Sequence, residues 1–437
     1  MKKLQLFVCL IIALFALNVS QQKAQAFFFT YTAGFQVQNL SGTQANIQIT
    51  FYNAAPGGGV AGTLPDKIPG NGSKTYFPIS AVPSGFNGSA VISSDQQVAA
   101  VVNILGNNGI AGASYVGFNQ GNTSLQIPLL MKGNYGYNTW FKVQNAVNVN
   151  YSDGTSASQS VPPGASATFD QSVESHSATV FAATVSSSQP LVATVIEESA
   201  QVMFAYNGFT GGSTAPVMPL VNANYFGYIT GIQIQNGGGS TTNVTVSYTP
   251  APGFPGTACT ETQTIGPGQS QTFALYAFSV SGTTSSTCSF GSTFVGSAKV
   301  TANSASQPLS VIVNQLNAGA GNGEAYNGFN PNAATAKVVL PLIMDRNYNY
   351  FTGISVMNVG GSTTTINCTF TGTSYSLSQS VAPGATLTAV QQGAIAPGYV
   401  GSGTCTAGGG GKIVAVVNEL NSTDAGDRLL VYEGINN

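Results

Sequence analysis

One phrase recurs four times along this 437-residue chain and leaves few folds open to it. It reads Gly34-Phe35-Gln36-Val37-Gln38-Asn39, Trp140-Phe141-Lys142-Val143-Gln144-Asn145, Gly231-Ile232-Gln233-Ile234-Gln235-Asn236 and Gly353-Ile354-Ser355-Val356-Met357-Asn358. Apolar and polar residues alternate at period two, the spacing of a β-strand with one face in a core and the other in water. A second alternating run follows: Ile47-Gln48-Ile49-Thr50-Phe51, Val147-Asn148-Val149-Asn150-Tyr151, Val244-Thr245-Val246-Ser247-Tyr248 and Ile366-Asn367-Cys368-Thr369-Phe370. Each copy then has a Pro-Gly turn (Pro69-Gly70, Pro163-Gly164, Pro267-Gly268, Pro383-Gly384) and two further strand-like runs. It closes on Tyr115-Val116-Gly117-Phe118, Tyr206-Asn207-Gly208-Phe209, Tyr326-Asn327-Gly328-Phe329 or Tyr432-Glu433-Gly434-Ile435.

No stretch sustains a 3.6-residue apolar period, so the chain reads as all-β. Six or seven short strands in each unit of roughly 85–120 residues fit an antiparallel sandwich of immunoglobulin-like size. Length alone predicts about three domains; the repeats make it four, at residues 27–126, 127–216, 217–337 and 338–437. Units this small are marginal alone and gain from packing in tandem, and the expected form is an elongated chain of four β-sandwiches.

Composition narrows the function classes. Only 6% of the residues are charged, against roughly 25% in an ordinary soluble domain. Yet 43% are hydrophobic and 10% aromatic, which excludes a disordered chain. A net charge of -2 without any Lys/Arg cluster excludes nucleic acid as a partner, because its phosphates need basic side chains.

Residues 1–26 read as a secretory signal peptide. Lys2 and Lys3 form the charged start, Leu4 to Val19 is apolar apart from Gln5 and Asn18, and Ala24-Gln25-Ala26 is a small-x-small cleavage site. Cys9 lies inside the apolar run, away from that site, and does not read as a lipoprotein cysteine. No later stretch reaches the length of about 18 apolar residues that a membrane helix needs. The expected mature chain starts at Phe27, is secreted to the cell surface or beyond, and has no transmembrane segment. Losing Lys2, Lys3 and Lys23 leaves nine basic residues against fourteen acidic ones, a net of -5.

Three of the units are introduced by Pro128-Leu129-Leu130, Pro219-Leu220-Val221 or Pro341-Leu342-Ile343, each leading into a run of aromatic residues. The first unit starts directly from Phe27-Phe28-Phe29-Thr30-Tyr31 without a Pro-Leu segment. It therefore reads as one strand short, with an edge that is either covered by a loop of the same chain or left open, and an open edge invites strand addition from another chain.

Four cysteines remain after cleavage: Cys259 and Cys288 in the third unit, Cys368 and Cys405 in the fourth. An even number in each exported unit predicts one disulfide apiece, with Cys368–Cys405 in the core and Cys259–Cys288 as a staple between loops. Zinc is not expected, since no close Cys pair exists. His176, the only histidine, sits in a polar segment and reads as a solvated loop residue; no Gly-x-Ser-x-Gly or His-Glu-x-x-His motif accompanies it. Glu197 and Glu198 end a strand and point to opposite faces. Asn421, Asp424 and Asp427 offer oxygens at a spacing that suits Ca²⁺ and equally suits a turn. Asn-x-Ser/Thr sequons occur about as often as chance provides. The aromatic runs offer a glycan platform of Trp140, Tyr135, Tyr137, Tyr225, Tyr228, Tyr348 and Tyr350, although their place at the junctions also suits packing between units. No cofactor or resident metal is expected.

The Tyr-Asn-Gly-Phe phrase at 206–209 and the Gly-Ile-x-Ile-Gln-Asn phrase at 231–236 resemble those of uncharacterised exported bacterial proteins made of tandem immunoglobulin-like β-sandwich repeats. The resemblance covers the mature chain and implies a surface, sheath or adhesive component. Together with the low charge, which offers little repulsion between copies, it predicts a non-enzymatic structural or adhesive protein of an extracellular layer, sheath or filament. Its partners would be itself, as a homo-oligomer joined by edge strands or end to end, or other surface proteins. The alternative is an extracellular carbohydrate-binding array with glycans as partners.

Overall fold

The computed structural model describes residues 28–107, 109–144, 147–274, 285–421 and 423–437. The signal-peptide segment, Phe27 and Asn145 of the second phrase lie outside the described residues. Apart from one 3-10 turn (Pro331–Ala333), the regular structure described is all β, in antiparallel sheets.

The first repeat forms β1 (Tyr31–Asn39), β2 (Ala45–Asn53), β3 (Val60–Ile68), β4 (Ser73–Tyr76), β5 (Gly88–Ser94), β6 (Val98–Gly106) and β7 (Ala111–Val116), as sheets β4-β1-β6-β7 and β3-β2-β5. The second forms β8 (Asn122–Met131), β9 (Asn138–Gln144), β10 (Val147–Tyr151), β11 (Ser156–Gln159), β12 (Ser166–Asp170), β13 (Val180–Leu191), β14 (Ala193–Glu198) and β15 (Met203–Asn207), as sheets β12-β9-β14-β15 and β11-β10-β13-β8. The strand β8 thus begins before the 126/127 boundary drawn from the repeats.

The third forms β16 (Val217–Ala223), β17 (Ile229–Asn236), β18 (Thr242–Pro250), β19 (Cys259–Ile265), β20 (Ser270–Phe273), β21 (Ser285–Ser286), β22 (Phe294–Asn303), β23 (Leu309–Asn317) and β24 (Asn322–Asn327), as sheets β20-β17-β23-β24 and β16-β22-β18-β19-β21. The fourth forms β25 (Lys337–Asp345), β26 (Tyr350–Asn358), β27 (Thr364–Phe370), β28 (Ser376–Val381), β29 (Thr386–Val390), β30 (Tyr399–Ala407), β31 (Ile413–Asn421), β32 (Leu429–Glu433) and β33 (Ile435–Asn436), as sheets β29-β26-β31-β32 and β28-β27-β30-β25-β33.

The recurring Asn has a structural cause. Asn39 donates to the carbonyls of Thr43 and Ile68, Asn236 to those of Ser240 and Ile265, and Asn358 to those of Ser362 and Val381. Each Oδ1 accepts the N–H two residues on. One fully buried amide so satisfies the loop between two strands on both of its polar ends. Both disulfides form: Cys368 faces Cys405 across β27 and β30 with both side chains buried, and Cys259 at the head of β19 bonds Cys288.

The elongated arrangement is overturned. The strands β7, β15, β24 and β32 are outermost in their sheets, and an edge strand leaves backbone N–H and C=O groups unpaired. Here the four edges meet one another: β7 packs on β15, β15 on β24, β24 on β32, and β32 back on β7. Asn207 donates to the carbonyl of Val116, and Asn327 repeats this contact one repeat on by donating to Asn207. The Asn207 N–H donates to Asn327 Oδ1, and the Asn327 N–H donates to the carboxylate of Glu433 in the same way. The circle closes where Ser114 Oγ donates to the Val431 carbonyl (2.6 Å) and the Asp427 N–H to that of Ile110 (2.6 Å). The repeats are therefore arranged head to tail in a closed ring.

Ring closure also changes the reading of the first phrase. Its polar residues were expected to face water, yet Gln36, Gln38, Gln233, Gln235 and Ser355 are all buried. The outer face of each such strand packs on the preceding repeat: β17 on β8, β26 on β16, and β1 on β25 of the last repeat.

Candidate functional site

The Pro-Leu strands β8, β16 and β25 turn into the next strand through two-residue hairpins. Asn134 and Tyr137 exchange backbone hydrogen bonds, as do Asn347 and Tyr350, and the Tyr228 N–H donates to the Tyr225 carbonyl. Both central residues are left-handed in all three: Tyr135 (φ 49°) and Gly136 (86°), Phe226 (49°) and Gly227 (81°), Tyr348 (46°) and Asn349 (66°). A hairpin this short needs two positive φ angles, which Asn and Gly supply at least cost. An aromatic residue at the first position costs about 1 kcal/mol. Each of these aromatic side chains is nonetheless almost fully exposed: Tyr135 at 84%, Phe226 at 81% and Tyr348 at 87%. They cover no core, so the fold does not require them.

Because the repeats are related head to tail around a ring, equivalent hairpins lie on one face of it. The opposite face holds a depression of about 340 Å³ on the axis, lined by Phe118, Phe209, Phe329, Asn207, Asn327 and Glu433.

The expected platform is split by the structure. Trp140 is buried at the junction of the first two repeats, its ring 5.6 Å edge-on to Tyr31. Tyr137, Tyr225, Tyr228 and Tyr350 are half-buried, leaving Tyr135 and Tyr348 at the tips. The third tip residue, Phe226, lies outside the expected platform, which took only the Tyr and Trp residues of the aromatic runs. Its signal was the Gly that follows it at the second turn position.

Buried acids line the ring junctions, and one of them, Glu433, also borders the axial depression. Glu324 accepts the N–H groups of Ser114 (2.7 Å), Ala205 (2.6 Å) and Ala325 (2.8 Å), tying three repeats together. Asp427 accepts those of Met203 (2.8 Å) and Gly323 (2.9 Å). Burial raises both carboxyl groups well above the ordinary range. Asp427 thus serves the axis, whereas Asn421 donates to Asp424 (2.8 Å) and accepts from the Thr423 and Asp424 N–H groups in a turn. Among the described residues no group of three or more His, Cys, Asp or Glu side chains is placed to hold a metal. Glu197 and Glu198 diverge as expected, Glu197 accepting from Asn314 (2.7 Å) and Glu198 from the Phe28 N–H and the Tyr31 hydroxyl. Burial pushes Glu197 and Glu419 up to about 8 and Glu433 to about 7.

His176 is not solvated. Its ring stacks on Phe181 (4.1 Å) and meets Tyr151 edge-on (4.7 Å), with Nδ1 3.1 Å from both Asp153 Oδ2 and Thr155 Oγ1. Burial lowers its pKa, so the ring is neutral at pH 7 and Nδ1–H faces the carboxylate. Burial opposes ionisation of Asp153 as well, but hydrogen bonds from Thr155, Ser177 and His176 outweigh it and hold that carboxyl at about 2. The pair anchors a turn within the core of its repeat.

The chain matches no protein-family model, and comparison with curated proteins finds no relative.

Proposed function

We propose that this chain is an exported, non-enzymatic adhesive or structural protein of the cell surface, built of four immunoglobulin-like sandwich units and contacting its target through the hairpin-tip face. The observation that carries this reading is the set of exposed aromatics at Tyr135, Phe226 and Tyr348, each held in a backbone conformation unfavourable to it. Exposed aromatic side chains that the fold does not need are the residues from which contact surfaces draw most of their energy. Two disulfides suit an oxidising compartment, and among the described residues no helix is long and apolar enough to cross a membrane.

A carbohydrate target is the second reading, favoured by the Tyr rings at two of the tips, whose faces are free to stack on sugars. The triple variant Tyr135→Asn, Phe226→Asn, Tyr348→Asn tests both. Asn tolerates the left-handed conformation, so the variant should be at least as stable as the parent while losing attachment to cells or to an array of glycans. Undiminished attachment by this variant would retire the tip face as the contact surface, and attachment to cells without binding to any glycan would retire the carbohydrate reading.

A further inference from the structure

We infer that the first repeat is a strand acceptor, whose open slot takes an extended apolar segment with a Pro-Leu step from another polypeptide. In the other three repeats the Pro-Leu strand lies along the edge of β13, β22 or β30. Their counterpart β5 pairs with β2 alone among the described residues, and its sheet has three strands.

The positions that receive such a strand in the other repeats are present in the first as well. The inward side chains of β6, Val98, Ala100 and Val102, are only half-buried, whereas the counterparts of Val102 (Val195, Val313 and Val417) are fully buried. The difference is the cover that a Pro-Leu strand supplies. In the other repeats a tyrosine clasps that strand at the Leu after Pro. The Tyr206, Tyr326 and Tyr432 hydroxyls donate to the carbonyls of Leu129, Leu220 and Leu342 and accept from the same residues' N–H groups at 3.3, 3.3 and 3.1 Å. Tyr115 holds the same position in β7, opposite Val102, and packs against the cluster of Trp140, Ile196 and Met203 in the second repeat in place of a strand.

The neighbouring repeat completes the slot. Gln36 on β1 donates 2.7 Å to the carbonyl of Pro341 in the Pro-Leu strand it packs against. Lys142 has the equivalent place on β9, facing the first repeat, and reaches Asn87 just before β5. It is positioned to donate to the carbonyl of an incoming proline.

The chain's own leader does not match the slot. Counting back from the first phrase, residues 16–25 stand in register with β8, and where β8 buries Ile127 and Leu129 the leader carries Gln21 and Lys23. The three Pro-Leu strands of the chain are already paired. The chemistry of the donor is read from them, as in Leu125-Gln126-Ile127-Pro128-Leu129 and Val338-Val339-Leu340-Pro341-Leu342: apolar, extended, with proline at the step. Strand addition of this kind takes affinity from main-chain hydrogen bonds and specificity from alternate side chains.

The test uses the full chain, the chain from Phe27 on, and a peptide with the sequence of residues 337–345. Amide exchange in β5 is expected to be fast in both proteins alone and to slow about a hundredfold with the peptide at about a hundred times its Kd. A peptide carrying Leu340→Asp should leave exchange unchanged. Failure of the parent peptide to bind or to protect β5 overturns the proposal. So does protection already present in the chain from Phe27 alone, which would mean a covered edge or, if it grows with protein concentration, a second copy. Protection in the full chain that vanishes from Phe27 on would make the leader the occupant and also overturn it.

Discussion

The side chain of Gln36 in the first repeat donates a 2.7 Å hydrogen bond to the carbonyl of Pro341 in the last, 305 residues away. The contact is buried, and it exists only because the ring closes. A closed ring of about 410 residues is expected to have a radius of gyration near that of a compact protein, about 22 Å, whereas four units end to end would give roughly twice that. Small-angle scattering of the mature chain distinguishes them. Gln36→Ala should cost about 1–2 kcal/mol, because it leaves a buried acceptor unpaired, read as a lower denaturation midpoint.

Stability should fall as pH rises through neutrality. Glu197 and Glu419 have folded-state values near 8 and Glu433 near 7, all above the unfolded value of about 4.3. A raised carboxyl keeps its full contribution below the unfolded value and loses it as pH climbs to the folded one. Asp153, held at about 2, acts oppositely and loses its contribution as pH falls below the ordinary Asp value. The maximum is therefore expected at about pH 4–5, with a loss on the order of a few kcal/mol by pH 8–9. Thermal midpoints across this range check it, and Glu419→Gln should flatten the alkaline limb.

Glu324 is the most demanding single residue at the axis. Glu324→Ala would strand three buried N–H groups belonging to three repeats, a loss of about 3–5 kcal/mol. Glu324→Gln keeps one acceptor oxygen and should lose less than half as much. Denaturant titration of both variants measures the difference; equal losses would mean that the N–H groups find other partners.

The core disulfide closes a separation of 37 residues, for which chain entropy gives about 3–4 kcal/mol. Cys368→Ala with Cys405→Ala should lower the midpoint accordingly. The first two repeats, which have no cysteine, should keep their amide protection longest under reducing conditions.

Strand positions within a repeat were legible because period-two alternation reports which side chains face the core of one sandwich. β2 shows it directly, with Ala45, Ile47, Ile49 and Phe51 buried between the exposed Asn46 and Gln48. The same alternation misread β1 and β17, where polar residues expected in water are buried against the preceding repeat of the ring. Trp140 was grouped with the tip aromatics for the same reason: composition at a junction does not say which rings face inward. Phe226 was missed because only Tyr and Trp were grouped as the platform, and the burial of His176 lay hidden in a segment that is polar in sequence but folds over Phe181.

The amino-acid sequence by itself determined the all-β class, the repeat and the cysteine partners, because each is written in local spacing or in a count. Tertiary structure decided the ring. Its contacts join residues such as Asn207 and Asn327, or Asn327 and Glu433, that lie one repeat apart, and no local pattern records which edge strands meet. It also changed the meaning of the low charge. Part of the uncharged polar coat is interface, where Gln36, Asn207, Gln235 and Asn327 satisfy backbone carbonyls of neighbouring repeats.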